Sequence, residues 1–171
     1  MKSLSEKIKN GEVKLNLAAG TSNSILKRFE KALKKTNLES YRDKGISIIY
    51  QPDKFEYFAE FNKTLQDTDI LWTKPSELSF YVGLGIPIIM TPPLGSQEEY
   101  NQSWLHMIGA GLEQYNPKYT HEWLFDWLKS GWLAEAAVSG YINASKKAVT
   151  HIEDLVLHSK ITEIEDIHSI L

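Results

Sequence analysis

A cluster of small and polar residues near the start of the chain could bind an anionic ligand. Gly20, Thr21, Ser22 and Asn23 follow an apolar segment and precede a helical pattern. Backbone N–H groups at a helix N-terminus, together with the side-chain donors of these residues, could hold a diphosphate. The same residues also suit a simple helix cap, and the segment has neither the GxGxxG nor the GxxxxGK[ST] pattern of nucleotide-binding loops. Both interpretations, a phosphate site and a cap, stay open.

Other kinds of reactive site find little support among the residues. The chain has no cysteine, which excludes disulfides, thiolate nucleophiles and cysteine-ligated zinc. His151 and His158 are seven positions apart, but no third ligand stands at a spacing that would suit a metal ion. The sequence also has no Ser-His-Asp order and no nucleophile elbow. We therefore expect neither a metal cofactor nor hydrolase chemistry.

The elements that would position a site alternate between short apolar runs and helical patterns. Apolar, β-branched runs predict strands at residues 13–18, 46–50, 69–73 and 86–90. Helical spacing between such runs is typical of βαβ units, whose right-handed crossovers place helices on both faces of a parallel sheet. The sequence therefore predicts an α/β fold with a doubly wound parallel sheet and a helical C-terminal part. The helices of that last part are predicted at residues 98–108, 119–129, 132–138 and 144–157.

The loops that follow the predicted strands are the places to expect a ligand. The carboxyl ends of parallel strands meet at one edge of a sheet, and ligands bind beyond that edge. We therefore expect four loops to converge there. They comprise residues 20–23, 51–53, 73–77 and 91–98.

One segment of the chain carries a series of motifs in a fixed order. Residues 69–111 contain Asp69-Ile70, Lys74-Pro75-Ser76, Gly85-Ile86-Pro87, Pro92, Gly95, Gln97-Glu98, Asn101 and Gly109-Ala110-Gly111. In this order the segment resembles the donor-sugar half of GT-B glycosyltransferases, particularly the group that contains the peptidoglycan N-acetylglucosaminyltransferase and the diacylglycerol glycosyltransferases. The loop that begins at Lys74 departs from the pattern, because it is shorter than the family's and has Pro75-Ser76 where the family has glycines.

The resemblance implies a site for a nucleotide-sugar, in particular a UDP-linked one. At the donor sugar it puts Gln97, Glu98 and Asn101. At the nucleotide and its diphosphate it puts Lys74, Glu77 and Gly95, together with Gly20, Thr21, Ser22 and Asn23. Simpler interpretations stay open, since Lys74 suits a solvated charge, and Glu77 and Glu98 suit the first turn of a helix.

The length of the chain limits how much of such an enzyme it can contain. GT-B enzymes have two Rossmann-like domains, and 171 residues leave room only for the donor-binding one. We predict that domain at residues 1–140, with C-terminal helices at residues 141–171 that pack on it or on a missing N-terminal domain. A separate acceptor-binding domain or subunit would complete a metal-independent glycosyltransferase that transfers a hexose to an unknown acceptor. The alternative is a non-enzymatic Rossmann-like module that binds a protein partner.

The charge and composition of the chain limit the classes of partner that it can bind and indicate its location in the cell. The chain has 19 basic and 22 acidic residues and a formal net charge of −3, which argues against nucleic-acid binding. The first residues include Lys and Glu where a signal peptide needs an apolar region, and no apolar stretch is long enough to cross a membrane. We expect a soluble, cytoplasmic protein. The resemblance to lipid-modifying enzymes adds that its acceptor could lie at the inner membrane surface.

Overall fold

The computed structural model describes residues 1–76 and 78–144, together with residues 150, 153, 156 and 157. Helices and parallel strands alternate along these residues. The strands are β1 (Leu15–Gly20), β2 (Ile46–Tyr50), β3 (Leu71–Thr73), β4 (Ile88–Met90) and β5 (Gly111–Glu113). The helices are α1 (Ser5–Lys9), α2 (Asn23–Lys35), α3 (Lys54–Leu65), α4 (Ser79–Gly83), α5 (Ser96–Met107), α6 (Thr120–Ser130) and α7 (Trp132–Asn143). Most of the helix predicted at residues 144–157 lies outside the described residues.

The strands pair in two parallel ladders. In the first, β1 pairs with β2, and Leu15 lies opposite Ile46. In the second, the order is β3-β4-β5, with Leu71, Ile88 and Gly111 at matching positions. All four predicted strands form and the α/β class is confirmed, while β5 is an additional strand. In the part of the chain that the structure describes, the strands form these two ladders rather than the single continuous sheet that the pattern predicts.

One hydrophobic core joins the two ladders. Ile46 of β2 and Ile89 of β4 are both buried in it. Trp123 and Trp127 of α6 belong to the same core, and Trp72 of β3 packs against it. Because side chains from both ladders fill one core, the ladders are parts of one folded unit.

The second ladder is covered on its other face as well. Ile88 and Met90 of β4 are buried there against Leu105 of α5 and Val82 of α4. Helix α7 packs against α4, and a Cβ atom at Gly140 would lie 2.8 Å from Cγ1 of Val82. The absence of a side chain at Gly140 therefore allows α7 to approach α4 closely.

Two helices begin at side-chain caps directly after strands of the first ladder. Asp53 caps α3, and its Oδ1 accepts hydrogen bonds from the N–H groups of Phe55 at 2.9 Å and Glu56 at 3.0 Å. Ser22 caps α2. Both caps follow strand ends, so local sequence fixes where the chain turns from strand to helix.

Candidate functional site

The loops that follow β3 and β4 are held together by charged and polar side chains. The Nζ atom of Lys74, after β3, lies 3.8 Å from Oε1 of Glu98 in the first turn of α5. The other carboxylate oxygen of Glu98, Oε2, accepts a hydrogen bond of 2.7 Å from the backbone N–H of Leu94. Lys74 is half-exposed, whereas the Glu98 side chain is only 19% exposed. One oxygen of the Glu98 carboxylate therefore holds the loop that leads into α5, and the other oxygen faces the ammonium group of Lys74.

Asn101 adds a second connection between the same two loops. Its Nδ2 donates hydrogen bonds to the carbonyl oxygens of Pro75 at 3.0 Å and Ser76 at 2.8 Å. Pro75 is buried, so its carbonyl lies in a segment with restricted access to water. The amide of Asn101 thus fixes the segment after Lys74 against α5.

The N-terminus of α5 has no side-chain cap. Gly95 precedes the helix with a φ of +111°, a conformation that favours glycine. In the part of the chain that the structure describes, the N–H groups of Ser96, Gln97 and Glu98 have no acceptor. The side chain of Gln97 is exposed. The free N–H groups carry the positive end of the helix dipole and can donate to an anion. The first turn of α5 also contains Glu98, the ion-pair partner of Lys74, and Glu99, so the charged side chains here do not add a net positive charge.

In the loop after β1, the chain itself supplies a hydrogen bond to the neighbouring strand end and a cap for the next helix. Gly20 has a φ of +64°, and its carbonyl accepts a hydrogen bond of 3.3 Å from the N–H of Gln51, which follows β2. The Oγ atom of Ser22 accepts from the N–H of Ile25 at 3.5 Å and lies 2.9 Å from Oγ of Ser24. Ser22 therefore acts as a helix cap. Thr21 and Asn23 are exposed beside it.

The four predicted loops come together in two pairs. One pair comprises residues 20–23 and 51–53, and the other comprises residues 73–76 and 91–98. Among the described residues, no hydrogen bond or ion pair joins one pair to the other. A ring contact of 6.2 Å between Phe61 of α3 and Tyr81 of α4 connects the helices that follow the two pairs. Burial raises the pKa of Tyr57 on α3, and the neighbouring Tyr81 raises it further.

A further polar residue lies at the end of the second ladder, and the sequence interpretation missed it. Gln114 follows β5, and its Oε1 accepts a hydrogen bond of 2.8 Å from Nε1 of Trp72. Its backbone N–H donates to the carbonyl of Met90 at 2.9 Å, which extends the ladder by one step. Recognising that a strand, β5, begins at the last glycine of the Gly109-Ala110-Gly111 motif would have revealed Gln114. Glu77, in contrast, lies outside the described residues.

The rest of the described side chains offer no competing centre. Within the described ranges, no group of three His, Asp or Glu residues could hold a metal ion. Every buried side-chain nitrogen or oxygen in those ranges has a hydrogen-bond partner. None of the described helices combines the length and apolar character needed to span a membrane.

Comparison with known proteins assigns the chain to a family. A family model named Domain of unknown function (DUF6938) matches residues 1–147. The chain belongs to this family. No curated protein and no solved structure matches it. The DUF6938 match includes every strand and helix defined above, so both pairs of loops lie within the DUF6938 domain.

Proposed function

We propose that this DUF6938 domain binds a nucleotide-sugar, in particular a UDP-sugar, as the donor-binding part of a metal-independent GT-B glycosyltransferase. One observation carries the proposal. Lys74 lies beside the uncapped N-terminus of α5, at the ends of parallel strands, within the segment that resembles the donor half of those enzymes. The free N–H donors at that place, with the Lys74 ammonium beside them, suit the diphosphate of a nucleotide-sugar, which would compete with Glu98 for Lys74.

The proposed chemistry is stabilisation of a leaving group. When the bond from the sugar to the diphosphate breaks, negative charge grows on the diphosphate, and Lys74 with the free N–H groups of α5 would stabilise it. The exposed amide of Gln97 would hydrogen-bond to sugar hydroxyls. The base that activates the acceptor hydroxyl would come from an acceptor-binding domain or subunit. In this proposal the enzyme acts in the cytoplasm.

Unlike Lys74 and Gln97, which contact the ligand, Glu98 and Asn101 have a structural role in this proposal. Both side chains already bond to the backbone of the site loops, so their first role is to hold these loops in shape. The proposal further requires the two ladders to serve as one Rossmann-like sheet, so that Gly20 and its neighbours approach the same ligand. The core that both ladders share supports that arrangement, because it holds Ile46 of β2 and Ile89 of β4 together.

A second candidate function is a non-enzymatic module that binds a protein partner. The bonds of Glu98 and Asn101 within the chain favour it, because a scaffold needs these contacts even when no sugar binds. The two candidates differ in one property. Only the first requires Lys74 to contact a ligand.

The test is calorimetric titration with UDP and then with a panel of UDP-sugars, on the parent chain and on two variants. We expect Lys74→Gln to weaken UDP binding about tenfold, which corresponds to about 1.4 kcal/mol. We expect Gln97→Ala to leave UDP binding unchanged and to weaken binding of the preferred UDP-sugar. Lys129→Gln, which removes an exposed lysine from α6, is the matched control and should bind like the parent.

Two results would reject the donor-site proposal. The first is the absence of heat with every nucleotide when circular dichroism shows a folded protein. The second is equal loss of UDP binding in Lys74→Gln and Lys129→Gln. Either result would favour the scaffold function.

A further inference from the structure

The outer face of α2 concentrates positive charge in an otherwise acidic chain. This helix contains five of the chain's 19 basic residues and only one of its 22 acidic residues. The basic residues are Lys27, Arg28, Lys31, Lys34 and Lys35, and all five are exposed. We call them the α2 basic face.

The charge lies on one side of the helix because the other side is needed for the core. Leu33 is buried in the core that joins the two ladders, and α2 packs along β1 and β2. The axis of α2 therefore runs along the surface of the protein, and the basic residues point away from the ladder. From Lys27 to Lys35 the basic face extends over about 12 Å.

Few of these cations are neutralised by acidic neighbours. Lys34 forms an ion pair of 3.7 Å with Glu39. The single acidic residue of α2, Glu30, is bound by Arg42 at 3.3 Å, which brings another cation to the helix. In the described part of the chain, the remaining four basic side chains of the face form no ion pair.

We propose that the α2 basic face docks the protein on a membrane surface that contains anionic lipid. Charge complementarity carries the inference, because a row of basic side chains, four of them without ion pairs among the described residues, runs along a helix at the protein surface and matches a plane of negative headgroups. Base-specific recognition of a nucleic acid fits the face less well. The face has one arginine and no exposed aromatic side chain, whereas reading bases relies on arginine forks and on stacking rings. The inference is independent of the nucleotide-sugar proposal.

The experiment is sedimentation of the full chain with vesicles. Phosphatidylcholine vesicles with about one-third phosphatidylglycerol are compared with pure phosphatidylcholine vesicles, at low salt and at about 0.5 M salt. The parent chain should bind only the anionic vesicles, and salt should release it, because added ions screen exposed charges.

Two variants with the same loss of charge make the test specific. The first, Lys27→Gln/Lys31→Gln/Lys35→Gln, removes three cations from the face. Each removal should lower the partition coefficient about fivefold, so that the triple variant loses about a hundredfold. The control, Lys63→Gln/Lys118→Gln/Lys129→Gln, removes three exposed lysines from other elements and should lose much less. Glutamine has nearly the helix propensity of lysine, and thermal melting checks that both variants fold.

Three results would overturn the inference. One is a parent chain that does not bind anionic vesicles at low salt. Another is an equal loss of binding in the two folded triple variants. The third is salt-sensitive binding to an RNA or DNA duplex without binding to vesicles, which would assign the face to nucleic acid.

Discussion

At the scale of single residues, Asn101 stabilises the site loops through two hydrogen bonds to backbone carbonyls. We expect Asn101→Ala to lower the free energy of unfolding by about 1–3 kcal/mol, because the carbonyls of Pro75 and Ser76 lose their partner. Urea denaturation measures this change.

The matched control for that substitution is Asn62→Ala on α3. Asn62 is exposed and forms no side-chain hydrogen bond within the described residues. Both substitutions gain the same few tenths of a kcal/mol in helix propensity, so their difference isolates the two hydrogen bonds. Equal stability of the two variants would mean that Asn101 does not hold the loop.

At the scale of secondary-structure elements, the contact between α4 and α7 depends on a residue without a side chain. A glycine in a helix is normally less stable than alanine by about 1 kcal/mol. At Gly140, however, the added Cβ would lie 2.8 Å from Val82 and 3.1 Å from Ala110. We therefore expect Gly140→Ala to lower the stability by about 1–3 kcal/mol in thermal or urea unfolding.

Gly83, in α4, provides a control position at which the same substitution should not lower the stability. A Cβ there would meet no atom within 4 Å, and its φ is not in the left-handed region. Gly83→Ala should leave the stability unchanged or raise it. If both alanine variants were stabilised, the packing of α7 on α4 would be looser than the structure indicates.

Most helices and strands were predictable from sequence because each contains enough apolar residues to show the spacing typical of a helix or a strand. Residues 46–50 form β2 as predicted, and the predicted strands at 69–73 and 86–90 form with fewer residues. Strand β5 (Gly111–Glu113) was missed because it begins within the glycine motif and its three residues are too few to show alternation. Helix α1 was missed because its five residues depend on tertiary packing of Ile8 rather than on local propensity.

The candidate site was accessible to sequence reasoning only in part. Motif order grouped Lys74, Glu98 and Asn101, and in the structure they connect the same two loops. The hydrogen-bond partners of Glu98 and Asn101 could not be predicted from sequence, because both side chains bind backbone groups whose positions depend on the fold. Their predicted contacts with a nucleotide-sugar stay predictions.

At the scale of the whole molecule, the shared core predicts that the two ladders unfold together. Ile89 is only 1% exposed in that core. We expect Ile89→Ala to lower the free energy of unfolding by about 2–5 kcal/mol. Amide hydrogen exchange should show the loss equally in β1 and in β3, since both ladders lose the same support.

An exposed isoleucine supplies the comparison for this prediction. Ile142 on α7 is 68% exposed, so Ile142→Ala should change the stability by no more than about 0.5 kcal/mol. A β1–β2 ladder that keeps its parent protection in Ile89→Ala would show that the two ladders unfold independently.

The aromatic cluster under the site also gives the protein an optical property. Trp72 lies two residues before Lys74, its ring is 5.4 Å from that of Trp123, and Trp123 is 4.7 Å from Trp127. Rings this close exchange excitation energy and share their electronic transitions. Excitation absorbed by one indole of the cluster can therefore be shared with the other two. The indole N–H of Trp72 donates to Gln114, so a shift of the strand ends that alters this bond changes the emission of Trp72. Intrinsic tryptophan fluorescence can therefore report such a shift without an attached dye.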